Sequence, residues 1–177
     1  MITTGKTALF IISPENFRDE ELNIPRKALT DAGVSVTIAS TRRGVAIGMN
    51  GHAEQVDFTI EDITGENYDA IAIIGGVGAQ IHLWEEEKLV EIVKRHHRLG
   101  RVVSSICLSG VVLAKAGILA GIKSTVYKNE VSLEKLRSYG AIYVNRSVVQ
   151  EGNIITASGP SAAREFGQKL IRALNIG

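Results

Sequence analysis

Short, almost continuous apolar runs alternate along this chain with segments of helical period. Residues 7–13 (TALFIIS) and 69–75 (DAIAIIG) have the pattern of strands buried on both faces. Residues 34–40, rich in β-branched side chains, and 101–106 predict two more strands. Helices are predicted over 18–32, despite Pro25, over 84–99, from just after Cys107 to about 116, over 130–139 and over 161–174. Gly33, Gly100, Gly117 and Gly140 supply stop signals for the first four. Residues 41–58 hold scattered glycines and short alternations that predict a hairpin at one edge, and 123–127, 141–144, 147–151 and 153–157 predict short strands. Strands alternating with helices imply an α/β fold with a mostly parallel sheet covered on both faces. Function in such sheets collects at the carboxyl ends of the strands, here the loops after Ser13, Gly75, Ile106 and Ala157.

Composition narrows the class. The 177 residues, 45% hydrophobic and 22% charged, predict one domain over 1–177. A chain of this length buries roughly 70% of its unfolded surface and needs no covalent staples. Net charge is +1, so nothing points to nucleic acid. The basic stretch Lys94–Arg98 closes a helix that opens on Glu85, Glu86 and Glu87, an arrangement the helix dipole favours. No segment reaches the about 18 apolar residues of a membrane span, and the first residues lack the pattern of a secretory signal. With a single cysteine there is no internal disulfide, and the cytoplasm is the expected compartment.

That cysteine is the sharpest chemical feature. Cys107 follows a buried strand and precedes a helix, with small residues Ser105, Ser109 and Gly110 around it, as a nucleophile elbow requires. A helix N-terminus there favours the thiolate and predicts a lowered thiol pKa. An inert buried cysteine fits the same local sequence. Gly75-Gly76-Val77-Gly78 is either a tight turn or a backbone able to bring N–H groups to a developing oxyanion. A dinucleotide loop is excluded on the expectation that no helix starts directly after it. Asp19, Glu20 and Glu21 open the first helix, where acids suit its dipole, but a carboxyl at that sheet edge could also share a proton with the thiol. His96 and His97 late in a helix and His52 in the hairpin are expected in solvent; His82 could approach the site. The four histidines lack metal-ligand spacing, so no metal is expected.

These residues together resemble the ThiJ/PfpI superfamily, which includes a parkinsonism-associated deglycase, intracellular proteases, glyoxalase III enzymes and isocyanide hydratases. The resemblance rests on Glu20-Glu21-Leu22-Asn23-Ile24-Pro25, Ile74-Gly75-Gly76, Ser105-Ile106-Cys107-Leu108-Ser109-Gly110 and Ser158-Gly159-Pro160, in that order along nearly the whole chain. It implies a flavodoxin-like three-layer sandwich, with Cys107 as nucleophile, Glu21 as its carboxylic partner and the amides of Gly76 and Leu108 as oxyanion donors. It also implies a homodimer or larger homo-oligomer and no cofactor. Gly75, Tyr127, His82 and Ser158 are further pocket candidates. The chain departs from PfpI-type proteases, which have histidine directly after the cysteine where Leu108 stands, and an acid where Gln80 stands. Many relatives carry arginine in place of Ser158. Peptidase chemistry is therefore disfavoured. The leading expectation is a cofactor-free enzyme acting on a small electrophilic carbonyl, and the alternatives are isocyanide hydration, amide or ester hydrolysis, a redox sensor or chaperone-like protein using Cys107 oxidation, and a scaffold with an inert thiol.

Overall fold

The computed structural model describes residues 4–65 and 67–176, so residues 1–3 of the N-terminal stretch lie outside it. The strands are β1 (Thr7–Ile11), β2 (Glu15–Phe17), β3 (Ser35–Ser40), β4 (Gly44–Gly48), β5 (Ala53–Val56), β6 (Phe58–Thr59), β7 (Ala70–Ile73), β8 (Val102–Ile106), β9 (Lys123–Ser124), β10 (Ile142–Tyr143), β11 (Val148–Glu151) and β12 (Ile154–Ala157). The α-helices are α1 (Asp19–Asp31), α2 (Val77–His82), α3 (Glu87–Arg98), α4 (Gly110–Lys115), α5 (Glu130–Ser138) and α6 (Ala163–Ala173).

Seven strands form the central sheet in the order β11-β12-β8-β7-β1-β3-β6. All neighbours are parallel except β11, which pairs antiparallel with β12. β7 and β8 are buried along their whole length, as strands covered on both faces must be. The two serines of β8 tolerate this differently: Ser104 Oγ donates to Ile71 O at 2.6 Å, whereas Ser105 Oγ has no partner among the described residues.

The chain leaves β1 through α1 toward β3, and leaves β7 through α2 and α3 toward β8 on the other side. Right-handed crossovers running in opposite directions put their helices on opposite faces. α1 packs against α6 on one face, and α3 against α4 on the other. Gly167 makes the first contact possible, because a Cβ there would stand 3.0 Å from Pro25 Cα. The topological switch falls between β1 and β7, and the loops that follow these strands open there. This is a flavodoxin-like sandwich, as the resemblance implied.

Several boundaries differ from the sequence reading. The hairpin over 41–58 is β4 and β5, but they leave the main sheet and join β2, which the sequence did not predict, in a separate three-stranded sheet. Only β6 returns to the main edge. Residues 123–127 shorten to β9, which pairs with β10 in a two-stranded parallel sheet of its own. A helix, α2, does begin directly after Gly76, contrary to expectation. Its six residues include Gly78 and small Ala79, so no apolar period marks it in the sequence.

Candidate active site

β8 ends at Ile106 and a single turn of 3₁₀-helix, Cys107–Ser109, leads into α4. Cys107 has φ 62°, in the left-handed region that non-glycine residues reach at a cost of order 1–3 kcal/mol. The surrounding contacts hold it there. Tyr127 N–H donates to Cys107 O at 3.3 Å, and Ser109 Oγ to Ile74 O at 2.6 Å. The indole of Trp84 donates to Leu108 O at 2.8 Å. Gly110 keeps the turn close to its neighbour, since a Cβ there would approach Val126 Cγ2 at 3.1 Å.

Glu21 enters from the first turn of α1 and is fully buried. Gly75 N–H donates to its Oε2 at 2.9 Å. Gly75 also occupies the space between acid and thiol: a Cβ there would lie 2.5 Å from Cys107 Cβ and 2.6 Å from Glu21 Oε2. Gly76, at φ 102°, is pressed against β2, with Asn16 O 2.4 Å from where its Cβ would be. A Cβ on Gly78 would come within 1.9 Å of Glu15 O. The backbone of β2 thus fills the space a pyrophosphate would need, which excludes a dinucleotide loop even though α2 follows directly. Arg18 N–H closes the junction by donating to Gly75 O at 3.0 Å.

The three acids of α1 have three different tasks. Glu21 reaches the thiol. Asp19 accepts the amides of Asn50 and His52, both at 2.9 Å, and its carboxyl fills the place of a Cβ on Gly48, so it clamps the β4–β5 turn. Glu20 pairs with Arg18 Nε at 3.0 Å.

Burial pushes the Glu21 carboxyl up to about 7, against the opposing pull of its bonds to Cys107 and Gly75. Burial, and then the Glu21 charge, pushes the Cys107 thiol up to about 12. The amides of Gly76 and Leu108, both directed at the sulfur, pull the other way without winning. The lowered thiol pKa expected from the helix N-terminus is therefore corrected: desolvation and the adjacent carboxylate outweigh the dipole of a short helix. The two groups titrate as a pair that releases its first proton near about 7 and holds the second up to about 12. Above about 7 the pair keeps a single proton between sulfur and carboxyl.

The other predicted residues divide. Tyr127 stands beside the turn through its backbone bond to Cys107, with its ring half-exposed and Cδ2 3.5 Å from the Cβ position of Gly159. Ser158 follows β12 at the same sheet edge, its amide bonded to Ser147 O at 2.8 Å. His82 turns to Glu15, Nε2 to Oε1 3.2 Å, and Arg42 holds the same carboxylate oxygen at 2.8 Å. Among the described residues no histidine is bonded to Cys107. Two of the three histidines expected in solvent are drawn in by partners. His96 is fully buried, its Nδ1 bonded to Ile92 O and its Nε2 accepting from Tyr68 N–H. His52 is half-buried, with Nε2 3.0 Å from Glu54 and its ring edge-on to Phe17, and His97 is half-buried as well. Among the described residues there is no cluster of three or more histidine, cysteine or acidic side chains suited to a metal, and no helix long and apolar enough to cross a membrane.

The model of the DJ-1/PfpI family matches residues 6–173. The chain belongs to the DJ-1/PfpI family. An uncharacterized protein of Methanocaldococcus jannaschii is 46% identical over 94% of this chain and 81% of its own length. A protein of Pyrococcus abyssi named a deglycase is 30% identical over 94% of this chain and 98% of its own. The crystal structure of a ThiJ/PfpI domain protein from Brachyspira murdochii superposes with a TM-score of 0.91 at 29% identity, covering 97% of this chain and 98% of that one. Seen as a DJ-1/PfpI fold, the site is assembled from three loops at one sheet edge, after β1, β7 and β8. The sequence reading missed two contributors to it. β2 presses Gly76 into place, and its three residues are too few for an alternating pattern to show. Trp84 is the single tryptophan of the chain, and its rarity beside the glycine segment was the one available signal.

Proposed function

We propose that this chain is a cofactor-free enzyme that acts on small electrophilic carbonyls, such as dicarbonyls of the methylglyoxal kind and the adducts they form. Cys107 is the nucleophile, Glu21 its acid–base partner, and the amides of Gly76 and Leu108 the donors to the developing oxyanion. The observation that carries the reading is the buried Glu21 carboxyl set against the Cys107 thiol across Gly75, with the amides of Gly76 and Leu108 directed at the sulfur.

The reaction balances without an external oxidant. The sulfur adds to the aldehyde carbon as Glu21 takes the thiol proton; the carbonyl oxygen collects charge beside the two amides, and Glu21 returns that proton to it, giving a hemithioacetal and a free carboxylate. Glu21 then removes the proton from that carbon and returns it to the adjacent one, while the hydroxyl proton passes to the neighbouring oxygen, so one carbon is oxidised to the thioester and its neighbour reduced to the alcohol. Water cleaves the resulting thioester, releasing a 2-hydroxy acid and restoring the thiol.

Cys107 is 6% exposed, which admits a small molecule and disfavours a polypeptide. The absence of histidine at Leu108 points the same way. The redox-sensor alternative needs a freely ionised thiolate, and burial beside a carboxylate opposes one. The deglycase name carried by a relative accords with carbonyl-adduct chemistry. The test is lactate formation from methylglyoxal: Cys107→Ala should abolish it, and turnover retained by that variant would overturn the proposal.

A further inference from the structure

We propose that Trp84 is a positioning residue for the Cys107 turn, setting the orientation of the Leu108 amide. This rests on the reading of Cys107 as the reactive group. Two peptide planes flank Leu108. The first carries Leu108 N–H, and its carbonyl, Cys107 O, is held by Tyr127 N–H at 3.3 Å. The second carries Leu108 O, and Trp84 Nε1 holds it at 2.8 Å. Fixing both planes fixes the backbone angles of Leu108, and with them the direction of the N–H that faces the sulfur.

The turn needs this hold because Cys107 sits at φ 62°. Without an external contact the backbone would gain by relaxing toward negative φ, and the Leu108 amide would swing away from the thiol. Trp84 is suited to resist this. It is 4% exposed, and it stands between α2 and α3, the two helices that carry the chain from β7 to β8. Its indole N–H is a donor only and, at that burial, has to be satisfied. The acceptor it takes is the carbonyl of the residue directly after Cys107, so the bond that satisfies the indole also holds the turn.

The test uses two readouts that do not depend on substrate. In the wild-type protein Trp84 is the single tryptophan, so its emission reports the contact directly. Alkylating Cys107 with iodoacetamide should shift or quench that emission, with no change in Cys107→Ala; an emission indifferent to alkylation would overturn the assignment. In Trp84→Phe, the sulfur loses part of its amide stabilisation. The pH midpoint for Cys107 alkylation should therefore rise by about half a unit or more. Turnover of methylglyoxal should fall about tenfold in kcat with KM within about twofold, the loss of one oriented hydrogen bond. An unchanged alkylation profile in a variant that unfolds at the wild-type urea concentration would refute the positioning role. Turnover retained by Cys107→Ala would instead remove the proposed reaction, and the emission and alkylation measurements would still decide the role of Trp84.

Discussion

Glu21 and Cys107 meet across Gly75, one arriving on a helix after β1 and the other on a strained turn after β8. The glycine's amide binds the acid at 2.9 Å, and its missing side chain leaves the space in which acid and thiol touch. Because both groups are buried, neither ionises independently. The proton they share defines what the site can do.

The first expectation concerns rate against pH. Glu21, pushed up to about 7, must be ionised to accept the thiol proton. kcat/KM for methylglyoxal should therefore rise with pH through about 7 and then level, and Glu21→Gln should lose both the limb and most of the activity. The same substitution removes the charge that helps raise the thiol, so the Cys107 pKa should fall. A profile flat between about pH 5 and 9 would show that Glu21 is not the base.

Stability should carry the same signature with the opposite slope. The carboxyl titrates at 4.5 by its ordinary value and at about 7 when folded. Between these values the folded state binds more protons than the unfolded one, so this group's contribution falls as pH rises through that window. The shift corresponds to about 3 kcal/mol. Glutamine keeps an acceptor for Gly75 N–H without the buried charge. In urea unfolding, Glu21→Gln should gain stability relative to wild type on going from about pH 5 to about pH 8, approaching that magnitude. An equal difference at both values would mean that Glu21 is not held away from its ordinary pKa.

How much of this was legible in the sequence depended on whether the signal was local. The buried strands β1, β7 and β8 announced themselves as apolar runs, and with them the sheet edge where Cys107, Gly75 and Glu21 meet. Cys107 was legible as the end of such a run. Glu21 was not separable from Asp19 and Glu20 by local pattern, since all three suit a helix start; only the resemblance singled it out. What distinguishes them is long-range, namely the β4–β5 turn that captures Asp19 and the glycine that receives Glu21. The thiol's electrostatics were misread for the same reason. A helix start is visible in sequence, whereas the desolvation that outweighs it comes from elements far along the chain. His96 looked like part of a charged helix end, yet it lies on the face of α3 turned toward Tyr68, and burial follows from that face.

Gly75 gives the sharpest steric test. A methyl group there would sit 2.5 Å from Cys107 Cβ, 2.6 Å from Glu21 Oε2 and 2.7 Å from Ile106 O, and none of the three is the free end of a mobile side chain. Gly75→Ala should cost about 1–3 kcal/mol in urea unfolding. Turnover should drop by about a hundredfold or more, because acid and thiol are forced apart. Wild-type turnover in a folded Gly75→Ala protein would show that the contact between Glu21 and Cys107 is dispensable.

His96 sets the opposite pH dependence from a site far from the chemistry. Its Nδ1 donates to Ile92 O at 2.9 Å and its Nε2 accepts from Tyr68 N–H at 3.2 Å, so the buried ring is satisfied only when neutral. Burial lowers its pKa below the ordinary 6.5, and the nearby Arg95 and Arg101 charges add to this. Protonation would bring a new N–H against the Tyr68 amide and introduce a charge that no acid among the described residues is bonded to. The stabilisation from the neutral ring is complete above 6.5 and is lost as pH falls below it, at no more than about 1.4 kcal/mol per pH unit. In wild type this loss runs against the gain from Glu21 over part of the same range, so the two partly conceal each other. Glu21→Gln should expose it: urea unfolding of that variant should show stability falling from about pH 7 to about pH 5, and Glu21→Gln/His96→Gln should remove most of the slope. If the double variant keeps the slope, another group carries the acid sensitivity, and His96 is not the residue that must stay neutral for the fold to hold.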